Sequence, residues 1–428
     1  MNKRKKYIYL ILLSFVIIVS YFISQLDSNP ALFIKAAVKP FRKYTPTRLP
    51  KDTLKLFEFR GKIASDTAFV FVQGGPALKR NIDENNPLLL LPNSEHLLRI
   101  HPIQTQMMNS TVLRSKSVLT EQQGDFEHDL NVEILHRTIT YLKSRNKTVY
   151  VICHSYGTLI GNQYLNKHKN KADNIALMGF PLDMDLKSFD ANRGEIIRWK
   201  DGIIPIKESP FPPFPLKSLI NESLNHVFAN MFMLFNNGRK RFTKLLEDKD
   251  LHNVTYVYGK FDEASGRPTD SELKFLKSKA VSVVETFGDH YSMWTNQFME
   301  NLYAHITKKD TLKKSIVSDF ANIIENEGLN NGLAWFEQVK KSTKYSTINE
   351  DEMNFYGYQF LDSNKVLEAI EIFKLNTELF PNSSNAFDSL AEAYLKDGNQ
   401  SAAIVNYKKA LQIDPENSNA SEALKELQ

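Results

Sequence analysis

Cysteine is nearly absent: Cys153 is the only one in 428 residues, so no intramolecular disulfide can form. Stability must then come from buried apolar cores, and the cysteine count leaves the redox compartment open. The ten histidines show no paired ligand spacing, so neither a metal nor another cofactor is expected. A basic excess is missing from most of the chain. Residues 1–51 carry ten Lys or Arg against one Asp, which leaves 44 basic and 48 acidic residues beyond them. The formal charge of +5 therefore belongs to the N-terminal segment, and nucleic acid is not an expected partner. Charge of either sign is lacking from Tyr7 to Leu26, twenty residues rich in Ile, Leu, Val and Phe that follow Lys3-Arg4-Lys5-Lys6.

A helix of that length and polarity matches the hydrocarbon core of a bilayer. The competing reading is a cleaved signal peptide, whose apolar stretch is shorter and ends in small residues. Here the run closes on Ser20-Tyr21-Phe22-Ile23-Ser24-Gln25-Leu26, so an uncleaved single-pass anchor over residues 1–26 is the expectation. The basic cluster keeps the N-terminus in the cytoplasm and the rest of the chain outside. Lys35, Lys39, Arg42 and Lys43 on the far side make that charge asymmetry less one-sided. Residues 27–51, with four prolines among basic residues, read as a linker.

The stretch that organises the remainder is Thr148–Gly161, TVYVICHSYGTLIG. Val149, Val151 and Ile152 are the residue types of a buried strand, and Leu159, Ile160, Tyr164 and Leu165 follow at helical spacing. Between them Ser155 sits in a strand-to-helix turn whose second flanking position is Gly157 and whose first is Cys153. Such a turn presents a serine hydroxyl outward, provided the flanking residues are small enough for the backbones to pass.

Other strands are predicted at Thr53–Arg60, Thr67–Val72, Arg99–Met107, Asn174–Phe180, Val254–Tyr258 and Ala280–Thr286, with a helix over Asp125–Lys143. Strands alternating with helices imply a mostly parallel sheet covered on both faces, and sites in such sheets form at the carboxyl ends of strands. Gly75, Ser155, Asp262 and His290 each stand just after a predicted strand. A serine hydroxyl needs a base to take its proton and a carboxylate to orient that base. Ser155, Asp262 and His290 supply these in the chain order Ser, Asp, His. Asp183 and Asp185 are next in line as the acid. The proline-rich insert of residues 184–250 reads as a helical cap, and its apolar stretch Val227–Phe235 is either the cap's own core or a pocket wall.

On these residues, the span from about 52 to 310 resembles an α/β-hydrolase domain. Gln73-Gly74-Gly75-Pro76 is similar to the oxyanion loop of the proline iminopeptidase-like branch, Cys153-His154-Ser155-Tyr156-Gly157 to its elbow, and Gly288-Asp289-His290 to its histidine loop. The resemblance implies Ser155 as nucleophile, His290 as base, Asp262 as orienting acid, and backbone N–H groups of Gly75 and Tyr156 as oxyanion hole. Gln73 and Cys153 depart from the usual histidine and glycine. No cap residue matches a peptidase's amine-binding carboxylates, so ester and peptide substrates both stay open.

The C-terminal part carries a different pattern. Phe387, Leu390, Ala391, Tyr394, Ala403, Tyr407 and Pro415 recur as Met353, Tyr356, Gly357, Phe360, Ala369, Phe373 and Pro381, each pair 34 positions apart. Residues 350–428 thus resemble two tetratricopeptide repeats with a short capping helix, which implies a protein partner. Residues 311–349 read as a helical connector on which the repeats lean. The expectation is a membrane-anchored, extracytoplasmic serine hydrolase of α/β fold with an all-α repeat module. Its rival is a catalytically inactive hydrolase-fold scaffold that binds a protein through the repeats.

Overall fold

The computed structural model describes residues 41–75, 86–183, 196–200, 204–208, 222–235, 239–286, 290, 293–310, 313–342, 344–345 and 348–427. The anchor expected over residues 1–26 lies outside them. Among the described residues no helix is long and apolar enough to cross a membrane.

Seven strands form one sheet: β1 (Phe57–Gly61), β2 (Thr67–Val72), β3 (Leu98–Pro102), β4 (Thr148–His154), β5 (Asn174–Met178), β8 (Val254–Gly259) and β9 (Ser282–Thr286). Their order is β1-β3-β2-β4-β5-β8-β9; only β1 runs antiparallel to its neighbour. Alternation along the strands divides the core in two, because successive side chains leave opposite faces. Val70, Val72, Val151, Cys153, Ile175 and Leu177 bury one face beneath helices α2 (Glu121–Ser144) and α3 (Tyr156–Lys167). Phe69, Phe71, Ile152, Ala176, Met178 and Val257 bury the other against α7 (Asn296–Ile306). A capping box starts α2: the Thr120 hydroxyl accepts from Gln123 N–H while the Gln123 side chain accepts from Thr120 N–H.

Several sequence expectations are corrected. The strand expected over Thr53–Arg60 starts only at Phe57, because Thr53–Lys55 forms a 3₁₀ turn capped by Asp52. The run expected over Arg99–Met107 ends as a strand at Pro102 and continues as α1 (Thr105–Met108). Part of the expected linker is docked rather than free: Glu127 of α2 accepts from Tyr44 Oη at 2.8 Å and Thr47 N at 2.9 Å. The cap is not purely helical. It contains an antiparallel hairpin, β6 (Ile196–Lys200) with β7 (Ile204–Glu208), before α4 (Glu222–Phe235) and α5 (Phe242–Leu245). Val227, Met233 and Leu234 of α4 join the core over α2, and Asn230 accepts from Leu119 N and donates to Leu113 O.

After α6 (Asp270–Ser278) and α7 the elements among the described residues are helices: α8 (Ile316–Glu327), α9 (Leu329–Val339), α10 (Glu350–Asp362), α11 (Val366–Leu379), α12 (Ser384–Lys396), α13 (Gln400–Ile413) and α14 (Ser418–Leu427). The expected connector is thus itself a helix pair, whose Ile316, Phe320, Ile324 and Phe336 share one core with Met353, Tyr356, Phe360 and Phe373 of the next pair. The 34-residue repeat is visible in the backbone, since left-handed residues Asn364 and Gly398 occupy equivalent turns after α10 and α12. At Gly357 a Cβ would stand 2.4 Å from Phe373 Cε1, so the small position of the repeat marks helix contact.

At the elbow the tightest approach is Gly157, where a Cβ would meet the Val72 carbonyl oxygen at 2.0 Å. Substituting Gly157→Ala is expected to destabilise the sheet domain by about 1–3 kcal/mol, the usual cost of forcing a packed region apart. A lowered urea midpoint measures it; an unchanged midpoint would contradict the close approach.

Candidate active site

Parallel pairing puts the carboxyl ends of β2, β4, β8 and β9 on one edge of the sheet, and the expected site residues leave from those ends. Ser155 follows β4 at φ 53 and ψ −120, a conformation that L residues seldom adopt and that typically costs about 1–3 kcal/mol. The strain is held from both sides. Ser155 N donates to Met178 O at 2.9 Å, and the Thr158 hydroxyl lies 2.7 Å from the same oxygen while accepting from Met178 N at 3.0 Å. Ser155 stays partly exposed between buried neighbours on either side. Cys153 is accommodated because Gly161, two turns further on, leaves room: a Cβ there would stand 3.0 Å from the Cys153 sulfur. Burial pushes the Cys153 thiol well above its ordinary value, so it remains a thiol and not a rival nucleophile.

Asp262 lies in the loop after β8 and is fully buried. A buried carboxylate is stable only when its oxygens are satisfied. Its Oδ1 accepts from Ala264 N at 3.0 Å and Ser265 N at 2.9 Å, and its Oδ2 from Ser265 Oγ and His290 Nδ1, both at 2.8 Å. A carboxylate oxygen accepts and a ring N–H donates, so the pair engages His290 through Nδ1. The ring is also backed by Gly179, at φ 63, where a Cβ would meet His290 Cε1 at 3.2 Å. Asp183, the first alternative acid, is engaged elsewhere: its carboxylate accepts from Thr243 N at 3.0 Å at the start of α5 and lies 3.6 Å from Arg241 Nε. Pro76, Asp185, Gly288 and Asp289 fall outside the described residues.

Gly75 follows β2 at φ 120, and the Gly74 backbone runs against the elbow, since a Cβ at Gly74 would meet Ser155 Cβ at 2.9 Å. Gln104 Nε2 secures this loop by donating to Gln73 O at 2.9 Å. Tyr156 opens α3, so its N–H belongs to the first helical turn, where donors have no intrahelical acceptor. The Tyr156 side chain is anchored inside, with its hydroxyl 3.1 Å from Asn131 Nδ2 and 3.2 Å from His128 Nδ1.

Sequence reasoning missed several neighbours. His154 is buried beside His290, with ring centroids 4.7 Å apart and Nε2 3.1 Å from His290 O, and Trp294 meets its ring edge-on at 4.6 Å. Its place inside the elbow was the only hint. Nothing in the sequence marked Ser265 or Gly179. Phe235 of the cap packs on Tyr156 at 5.2 Å and on Phe180 at 5.9 Å, so the cap stretch serves as core and also abuts the elbow.

No family model matches the chain, and no curated protein matches it. Among solved structures it is similar to MGS-M2, an α/β-hydrolase enzyme from a Medee basin deep-sea metagenome library, with 14% identity, 60% of this chain and 95% of that one covered, and a TM-score of 0.39. It is similar to MenH from S. aureus at 10% identity, covering 60% of this chain and 99% of that one, with a TM-score of 0.37. The C-terminal helices are similar to the first TPR of Spaghetti (RPAP3) bound to an HSP90 peptide, at 13% identity, 26% of this chain, 86% of that one and a TM-score of 0.20. The strand order and the elbow carry the assignment by themselves. The fold is the α/β-hydrolase fold.

Two of the buried histidines, His128 and His154, make stability depend on pH. Burial pushes the His128 imidazole from 6.5 down to about 3 and the His154 imidazole well below 6.5, so both are neutral in the folded chain. Below pH 6.5 the unfolded chain takes up protons that the folded chain refuses, so stability falls as pH drops, for His128 at up to ~1.4 kcal/mol per unit from 6.5 toward 3. Urea midpoints should decline across this window, and His128→Gln should flatten the decline; an equally steep loss in that variant would count against the assignment.

Proposed function

We propose that the chain is a serine hydrolase that cleaves an ester or amide through an acyl-enzyme intermediate. The observation that carries this reading is the buried Asp262–His290 pair at 2.8 Å, placed on the strand edge from which the strained Ser155 turn also emerges. Ser155 Oγ attacks the carbonyl carbon while His290 Nε2 takes the hydroxyl proton and Asp262 stabilises the resulting imidazolium. The tetrahedral oxyanion rests on the N–H groups of Gly75 and Tyr156. His290 then passes its proton to the leaving group, and water activated by the same nitrogen releases the acid and restores Ser155.

Phe235 and Phe180 beside the elbow favour an apolar acyl group, and among the described residues no feature favours an ester over a peptide. The uncharged run from Tyr7 to Leu26 supports a chain anchored in a membrane with its catalytic domain outside the cytoplasm. The tetratricopeptide-like spacing supports a protein partner for the C-terminal helices.

A fluorophosphonate probe is expected to label the full chain, and the labelling should vanish in Ser155→Ala and His290→Ala. Folded wild type that takes no label, or Ser155→Ala that does, would refute the proposal. For p-nitrophenyl esters, Asp262→Asn should keep the fold yet lower kcat by about a thousandfold or more, because the imidazole loses its orienting acceptor. A variant within a few-fold of wild type would remove Asp262 from the mechanism.

A further inference from the structure

The two residues that precede Asp262 face away from the hydrolase. Phe261 packs into the core of the helical module, with its ring 5.2 Å from Phe355 and 6.3 Å from Tyr356. Among the described residues it is the only one before Ile316 in that cluster. Lys260 Nζ donates to Asn322 Oδ1 of α8 at 2.7 Å and lies 5.3 Å and 5.7 Å above the rings of Phe261 and Tyr356. Tyr356 is held in turn, its hydroxyl donating to Ser318 Oγ at 3.0 Å. The backbone of Lys260 is tied to the sheet through its N–H to Thr286 O at 2.9 Å. One short loop thus inserts two side chains into the repeats and, with the next residue, a carboxylate under His290.

We infer that Lys260 and Phe261 are positioning residues, through which the helical module holds the Asp262 carboxylate in register with His290. The inference rests on the proposed hydrolase reading and adds that the repeats are part of the catalytic apparatus as well as an appendage to it. Asp262 reaches His290 across a single hydrogen bond, and a bond of that kind weakens steeply with small displacements. Within itself the loop after β8 closes through Asp262 N to Gly259 O at 3.4 Å, Gly266 N to Asp262 O at 3.0 Å and the Ala264 and Ser265 donors on the Asp262 carboxylate, all of them local to the loop. The insertion of Phe261 and the pairing of Lys260 tie that locally closed loop to the helical module. A cation placed over two aromatic faces while donating to an amide oxygen has few alternative positions.

The test uses the full chain, with the fluorophosphonate labelling rate and turnover of p-nitrophenyl acetate as readouts. Lys260→Met keeps the apolar stem and loses the charge and the donor; Phe261→Ala empties the socket; Lys260→Arg keeps both charge and donor. Lys260→Met and Phe261→Ala should label about tenfold more slowly, with kcat lowered and KM unchanged, while Lys260→Arg returns most of the rate. Asn322→Ala should resemble Lys260→Met, and the double variant should be no slower than either single one. Melting midpoints report folding separately. Wild-type rates in both Lys260→Met and Phe261→Ala would overturn the inference, as would losses that simply follow the melting midpoint or that Lys260→Arg fails to restore. If wild type itself takes no label, the hydrolase reading has failed instead.

Discussion

The parallel pairing of β4 with β2 on one side and β5 on the other is the constraint on which the rest of the structure depends. Val72 pairs with Cys153 and Cys153 with Leu177, so the ends of three strands are brought level with Ser155. Parallel strands send all their carboxyl ends to the same edge, and the loops that leave there must meet. Those loops carry Gly75, Ser155, Asp262 and His290. The elbow can exist only because Gly157 lets α3 start against the Val72 carbonyl, and because Gly161 takes up the bulk of Cys153. A strained serine is therefore a consequence of packing that over-determines the turn from both neighbouring strands.

A second constraint follows from burying a carboxylate. Asp262 is out of water and must receive as many donors as its oxygens can accept, which it does from two backbone N–H groups, Ser265 and His290. Each donor narrows the orientations left to the acid, and His290 is aligned by the same network that makes the burial tolerable. The loop that provides these donors is anchored in two bodies, the sheet through Thr286 and the helical module through Phe261 and Lys260. The Asp262–His290 pair and the interdomain packing consequently draw on a few consecutive residues.

Much of the fold was legible because its periods are strong. Alternation at Val149, Val151 and Cys153 against Ile152 marks a strand buried on both faces, and the 34-residue recurrence from Met353 to Pro415 marks paired helices. What escaped was local chemistry that competes with period. Asp52 accepts from Leu54 N and turns Thr53–Lys55 into a 3₁₀ helix where the apolar alternation suggested a strand. The hairpin in the cap lacks a distinctive spacing, and the docking of Tyr44 and Thr47 depends on Glu127, eighty or more positions away.

By itself the sequence determined which residues are candidates for the proposed chemistry, since a serine in a small-residue turn, an acid and a histidine in that order are properties of residue type and strand succession. It also determined the repeat, because helix contacts demand small residues at regular intervals. Only the tertiary structure decided between Asp262 and Asp183 as the partner of His290, since both follow buried strands and the difference is which carboxylate the folded loops bring to the imidazole. It alone brought His154, Ser265 and Gly179 to the histidine, and Lys260 to Asn322. Such contacts join residues far apart in the chain, and their distances are set by sheet order and packing, which no local pattern encodes.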